Sequence, residues 1–240
     1  MLDDTLEALR SAALSAGDGG GYFPALYARV TRRVIDEGAE GRFEDAARMA
    51  SFVEGFAARY LEAGREPVTA SACWRAAFDV ATDGDLLIVQ QLLLGINAHV
   101  NYDLPQAVVT VADRTGDLPA IRPDFDAVNL VLRATYDDVM ADLGRVTRWT
   151  GRAAALGGGR LFNFSLRAAR DQAWQAAVHL DPLPPDGRRA RVAELDALVA
   201  VLAYLVTRPT LPFSWVAHLA RRVEDHDPAT VTRALLGPLA

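Results

Sequence analysis

The chain contains no lysine, so its 25 basic side chains are all arginines. This absence excludes Schiff-base chemistry, a P-loop lysine and a lysine general base. A single cysteine, Cys73, excludes an intrachain disulfide framework and is compatible with a reducing compartment. Because Cys73 stands beside Trp74 in an apolar helical pattern, we expect it to be a packed core residue.

Signatures of several other protein classes are also missing. No uninterrupted apolar run approaches the ~20 residues that span a bilayer. The acidic start of the chain lacks the basic and apolar segments of a secretory signal, so we expect a cytoplasmic protein. The net charge is −6 with no basic stripe, which argues against a nucleic-acid partner. The expected partner is a small-molecule ligand or substrate. There is no G-x-S-x-G, H-E-x-x-H or G-x-G-x-x-G motif and no pair of E-x-x-H motifs. The oligomeric state is not predicted.

Helical periodicity runs through the chain, and no segment shows the alternation of a strand. We predict a single all-α domain over residues 1–240, with about nine or ten helices around a buried central helix. That helix is hydrophobic nearly all round from Leu86 to Leu94, which is typical of a helix surrounded by others. Pro105 lacks an N–H and predicts a kink or break near residues 101–104. Residues 182–187 are predicted to be a linker-like loop.

Amphipathic helices are predicted before and after the central one. In the second helix of the chain, Tyr27, Val30 and Val34 lie on the inner face. The longer predicted helices run from about residue 22 to 35, 43 to 63, 123 to 147 and 162 to 180.

The central helix carries His99 and Asp103 in an otherwise apolar segment. Residues at i and i+4 lie on one face of a helix, so both side chains can reach the same point. Burying them is costly unless they pair, bond to other groups or bind a metal. They are therefore predicted to form an acid–base site or, with further ligands, a zinc site. The alternative is that Asp103 caps a helix and His99 is a hydrogen-bonded core histidine.

A second group of candidates lies near the start of the helix that begins at about residue 123. Asp126 and Asn129 lie on the flank of its apolar stripe, and we expect them to face an interior cleft. Asp126 is the candidate third metal ligand or base, and Asn129 is a candidate substrate-binding residue. The alternative is that Asp126 is a surface charge favoured by the helix dipole.

A third group lies on the helix predicted over residues 162–180. Asn163, Arg170 and Trp174 fall on one flank of that helix. Arg170 is predicted to bind a substrate carboxylate or phosphate, or to neutralise Asp103 or Asp126; the alternative is a buried structural ion pair. Asn163, Trp174 and the aromatic Tyr102 are the remaining candidates for substrate binding.

Four segments resemble a bacterial family of helical proteins with no assigned function. They are residues 27–31, 92–104, 124–126 and 167–174, with the histidine–asparagine–aspartate segment at 99–103 the most specific. The resemblance extends from about residue 22 to 205. It implies an all-helical fold and no activity.

Leu94-Gly95 followed by His99-x-x-x-Asp103 also resembles the buried helix of zinc-dependent phospholipase C and the related single-strand nucleases. In that family a histidine and an aspartate at this spacing bind zinc. The family's tri-zinc cluster uses many histidines and an N-terminal tryptophan amine, whereas this chain has four histidines and begins with methionine. The resemblance therefore implies at most one or two metal ions, bound by His99 and Asp103 with Asp126.

Three functions are open at this point. The first is a metal-dependent hydrolase of an ester or phosphoester, in which the metal activates a water and Arg170 binds the anion. The second is a metal-free enzyme of specialised metabolism that acts on an apolar small molecule. In it, His99 and Asp103 form an acid–base dyad, and Trp74, Tyr102 and Trp174 shape the pocket. The third is a non-catalytic helical binding protein, in which the polar groups only fix helix register.

Overall fold

The computed structural model describes residues 2–80, 86–146, 159–208, 224 and 227–238, without the side chains of residues 159–164. These residues contain ten α-helical segments and no strand. The segments are α1 (Leu2–Ser15), α2 (Tyr22–Ala39), α3 (Ala46–Arg65), α4 (Ala72–Asp79), α5 (Ile88–Ala98), α6 (Leu104–Thr115), α7 (Arg122–Val146), α8 (Gly159–Leu180), α9 (Pro185–Thr207) and α10 (Pro228–Leu236). Short 3₁₀ turns at Gly19–Gly21 and Pro119–Ile121 precede α2 and α7.

The prediction of an all-α fold is confirmed, and the described residues form a single all-α domain. The predicted helices at residues 22–35, 43–63, 123–147 and 162–180 correspond to α2, α3, α7 and α8. The loop predicted at residues 182–187 is too long, because α9 begins at Pro185. Proline suits the first turn of a helix, where an N–H has no acceptor within the helix. Among the described helices, none is both long and apolar enough to cross a membrane.

A π-helical turn at His99–Asp103 joins α5 to α6. In this turn the backbone N–H of Leu104 donates to the carbonyl oxygen of His99, five residues earlier. Pro105 follows directly, in the first turn of α6, where its missing N–H is tolerated. The kink or break predicted near residues 101–104 is therefore a change of helical winding. Turns of this kind occur frequently at functional sites.

Side-chain amides attach one face of α5 to α9. The Gln90 amide donates to the carbonyl oxygen of Val206 at 2.8 Å, and the Asn97 amide donates to that of Val199 at 2.9 Å. Another face of α5 borders a cavity, and on that face Val89 is 44% exposed. Val89 is the one exposed residue of α5, and the rest of the central helix is buried or partly buried, as expected.

Candidate functional site

His99 and Asp103 are both buried and contact each other across the π-helical turn. His99 Nδ1 lies 3.2 Å from Asp103 Oδ2. The indole N–H of Trp74 donates to the same carboxylate oxygen at 2.9 Å. The i, i+4 spacing thus brings the imidazole and the carboxylate together, as predicted, and α4 adds a third member.

The start of α4, which carries Trp74, is fixed by a carboxylate on α9. The backbone N–H groups of Ala72 and Cys73 donate to the two oxygens of Asp196, at 2.8 and 2.9 Å. A carboxylate at a helix N-terminus satisfies N–H groups that have no acceptor within the helix. Cys73 itself is fully buried, as predicted, and burial raises the pKa of its thiol. It is therefore a structural residue and a poor nucleophile.

The hydrogen bonds of Asp103 determine the tautomer of His99. Burial lowers the pKa of His99, and this effect exceeds the opposing effect of the Asp103 carboxylate. The imidazole is therefore neutral at pH 7 and carries one proton. Because an ionised carboxylate only accepts, that proton lies on Nδ1 and is donated to Asp103. The other nitrogen, Nε2, is left as a hydrogen-bond acceptor.

Aromatic rings surround the His99 imidazole. Phe56 is stacked on it with ring centroids 3.6 Å apart, and the Tyr27 ring lies at 4.4 Å. The Phe23 ring meets it edge-on at 5.5 Å. Nε2 is completely buried and has no hydrogen-bond partner among the described residues. An unpartnered buried acceptor of this kind costs about 1–3 kcal/mol.

A cavity of about 320 Å³ lies beside His99, between α2, α3, α5, α7 and α8. Its wall is mainly apolar. Three of its lining residues carry buried polar atoms without a hydrogen-bond partner in the described structure: Nε2 of His99, the hydroxyl of Tyr27 and the hydroxyl of Thr31. Neighbouring side chains cover these atoms, so a ligand must displace part of the wall to reach them. The flexible side chains of Met49 and Met140 line the same cavity and can accommodate such a change.

Tyr27 and Thr31 were not predicted as site residues. They are four residues apart on α2 and therefore lie on one face of the helix. The sequence contains one signal for them, since Thr31 is a polar residue in the inner stripe that includes Tyr27, Val30 and Val34. This signal indicates a buried hydroxyl and does not reveal its surroundings.

Arg170 and Asn129, both predicted as site residues, contact each other. The Nε–H of Arg170 donates to Asn129 Oδ1 at 2.8 Å, and Nη2 donates to the carbonyl oxygen of Phe125 at 2.6 Å. Arg170 is buried and lines the cavity. It forms no ion pair with a described carboxylate, so the predicted structural ion pair is not observed, although the charges of Asp126 and Asp171 act on it from a distance.

Three of the remaining predicted site residues do not line the cavity beside His99. The Asp126 side chain is 46% exposed and accepts a hydrogen bond from Arg122 at 2.7 Å. Trp174 is buried against Phe125, with ring centroids 5.1 Å apart. Tyr102 is half-buried in the cluster around Trp74 and, like Trp174 and Asp126, is not among the cavity-lining residues. The side chain of Asn163 lies outside the described residues.

A model of a family of unknown function, DUF5995, matches residues 2–209 of the chain. The chain belongs to this family. Membership confirms the resemblance to a helical family without an assigned function, and it identifies no activity. No curated protein and no solved structure matches the chain.

The donor set around His99 can be compared with the needs of a zinc ion. Zinc in proteins takes three or four protein ligands at about 2.0–2.3 Å. Here Asp103 Oδ2 already accepts from Trp74 and His99, and Asp126 is paired with Arg122 elsewhere. No group of three or more histidine, cysteine, aspartate or glutamate side chains with metal-binding geometry occurs in the described part of the chain. The described residues therefore do not fit a zinc site, and the metal stays a prediction.

Proposed function

We propose that the protein binds an apolar small molecule in the cavity beside His99, and that His99 transfers a proton to or from this molecule. One observation carries the proposal. His99 lines an apolar cavity, its Nδ1 is occupied by Asp103, and its Nε2 is a buried acceptor without a partner among the described residues. The cavity volume of about 320 Å³ falls in the range of small-molecule sites.

In this mechanism the Asp103 carboxylate orients the imidazole. A proton passes from the bound molecule to Nε2, and the electron pair of the broken bond stays on the bound molecule. The resulting imidazolium donates both of its N–H groups, and Asp103 stabilises the positive charge through Nδ1. If the proton returns to a different atom of the bound molecule, the reaction is an isomerisation. If a proton returns to the same atom, the reaction is a hydrogen exchange with solvent.

The hydroxyl groups of Tyr27 and Thr31 suit a second role. Burial, together with the charge of Asp103, raises the pKa of Tyr27 well above its ordinary value, so this hydroxyl keeps its proton and can donate. A donor near the base stabilises negative charge that develops on a substrate oxygen. A carbonyl compound, which loses a proton from the adjacent carbon, needs both a base and such a donor.

Metal-dependent hydrolysis has less support, because the described residues bring together no group of three or more candidate metal ligands. Non-catalytic binding would use the same cavity without proton transfer. Binding and proton transfer are therefore tested separately.

Binding is tested with N-phenyl-1-naphthylamine, a neutral apolar probe whose fluorescence rises in an apolar site. Proton transfer is tested with 2-undecanone in D₂O, because a base beside the carbonyl speeds deuteration of the adjacent carbons, which mass spectrometry detects. The matched variants are His99→Gln and His179→Gln, since His179 is exposed. We expect deuteration to fall at least tenfold in His99→Gln and to be unchanged in His179→Gln, because general-base catalysis typically contributes about 10²–10⁴-fold.

The outcomes are distinct. If the probe does not bind, the whole proposal is wrong. If the probe binds and the wild-type protein deuterates 2-undecanone no faster than His99→Gln does, the acid–base role is wrong and the protein is a binding protein.

A further inference from the structure

Arg170 is a buried cation on the wall of the cavity. Only 4% of its surface is exposed. Its two hydrogen bonds, from Nε to Asn129 and from Nη2 to the carbonyl of Phe125, go to uncharged oxygens. Its third nitrogen, Nη1, makes no hydrogen bond to any residue that the structure describes. The guanidinium has five N–H groups and uses two of them in these bonds, so the N–H groups of Nη1 are available to a ligand.

The carboxylates nearest to Arg170 are engaged by another arginine. Asp126 and Asp171 accept hydrogen bonds from Arg122, at 2.7 and 2.9 Å, and these three side chains are partly exposed. Burial lowers the pKa of Arg170 to about 10, so it stays protonated at pH 7. The guanidinium also lies over the Phe125 ring, 4.2 Å from the centroid, which stabilises the cation without neutralising it. The charges of Asp126 and Asp171 act on Arg170 from a distance, but no described carboxylate forms a direct ion pair with it, and a buried charge usually has such a partner.

The other residues of the cavity wall indicate what kind of molecule could carry an anionic group to Arg170. The cavity is lined mainly by aliphatic and aromatic side chains, including Leu93, Ile96, Leu132 and Met140. No carboxylate lines it within the described part of the chain, so an anion would meet no repulsion from its wall. A ligand that suits this cavity has a hydrocarbon body and one anionic group.

We propose that the cavity binds a monoanionic amphiphile whose carboxylate contacts Arg170 and whose hydrocarbon body lies along the apolar wall. This inference rests on the proposed function, because it names the class of molecule that reaches His99. It assigns Arg170 a binding role and leaves the proton transfer to His99 and Asp103.

The test compares dodecanoate with 1-dodecanol, which have the same hydrocarbon chain and differ in charge. Each competes with N-phenyl-1-naphthylamine for the wild-type protein at pH 7.5. We expect dodecanoate to displace the probe at a concentration at least about tenfold lower, because a charge-assisted hydrogen bond in a buried site favours the anion by that factor or more. Arg170→Gln should abolish the preference, whereas Arg133→Gln removes an exposed positive charge that does not line the cavity and should retain it.

Equal displacement by the acid and the alcohol in the wild-type protein would overturn this inference and leave the proposed function intact. Failure of the probe to bind would overturn the proposed function and this inference with it. A preference for dodecanoate that persists in folded Arg170→Gln would show that another group binds the carboxylate. If Arg170→Gln does not fold, the comparison of the two competitors in the wild-type protein decides alone.

Discussion

The indole N–H of Trp74 donates to the carboxylate of Asp103 at 2.9 Å, and both side chains are buried. This bond joins residues 29 positions apart and places α4 against the π-helical turn. The indole and the imidazole of His99 contact the same carboxylate oxygen, Oδ2.

Trp74→Phe is expected to lower the free energy of unfolding by about 2 kcal/mol or more, because it removes a buried donor to a charged group. The pKa of His99 should rise, since the Asp103 carboxylate then has one fewer donor. Urea denaturation and an NMR titration of His99 measure the two effects. Trp174→Phe is the control, because Trp174 packs against Phe125 instead of Asp103. An unchanged His99 pKa in Trp74→Phe would contradict the proposed coupling.

Stability should depend on pH through His99. Burial lowers its pKa in the folded protein below the ordinary value of about 6.5. The unfolded chain therefore binds this proton at a higher pH than the folded protein does. The stabilisation is fully present above about pH 6.5 and is lost as the pH falls from there toward the folded pKa.

We expect the wild-type protein to lose more free energy of unfolding between pH 7.5 and 5.5 than His99→Gln loses. Urea denaturation at both pH values gives this difference. His179→Gln should behave like the wild type, because it removes an exposed histidine. Equal losses in His99→Gln and the wild type would show that His99 does not titrate as described.

Gly95 allows Phe23 to pack closely against α5. A Cβ atom at Gly95 would lie 2.4 Å from the ring of Phe23, which also meets the His99 imidazole. Gly95→Ala is therefore expected to destabilise the fold by about 1–3 kcal/mol and to alter probe binding in the cavity. A Cβ at Gly55, on α3, meets no atom within 4 Å, so Gly55→Ala should be neutral or stabilising by up to about 1 kcal/mol. Thermal unfolding compares the two variants, and equal melting temperatures would refute the packing argument.

Metal removal should leave the protein unchanged. Because the described residues bring together no group of three or more candidate ligands, we expect EDTA not to shift the melting temperature. Elemental analysis of protein purified without a metal-affinity tag checks the same point. Stoichiometric zinc that is lost in His99→Ala would instead support the metal-dependent hydrolase.

The contact between His99 and Asp103 could be predicted because it is local. A spacing of four residues brings the side chains together in any helical winding close to an α-helix. The type of helix at residues 99–103 was predicted less well. Pro105 indicates that one α-helical hydrogen bond is missing, but it does not indicate which structure replaces that bond. A π-helical turn and a break both satisfy that requirement.

The partners from other helices could not be predicted in this way. Trp74 reaches Asp103 from α4, and the start of α4 is bonded to Asp196, more than a hundred residues later in the chain. Asp126 illustrates the opposite case, since its local partner, Arg122, lies four residues earlier and holds it near the surface. A flank position on one helix does not reveal which neighbouring helix covers it.

The π-helical turn makes the spacing between the imidazole and the carboxylate sensitive to chain length. One residue corresponds to about 100° of rotation in an α-helix. A relative that is one residue shorter between Ala98 and Leu104 would wind as an ordinary α-helix there. If the missing residue lay between the histidine and the aspartate, these two would stand three residues apart and would still be neighbours on the helix. The direction of the aspartate towards the tryptophan on α4 would change, so such a member of the family would keep the pair and lose the geometry of the third contact.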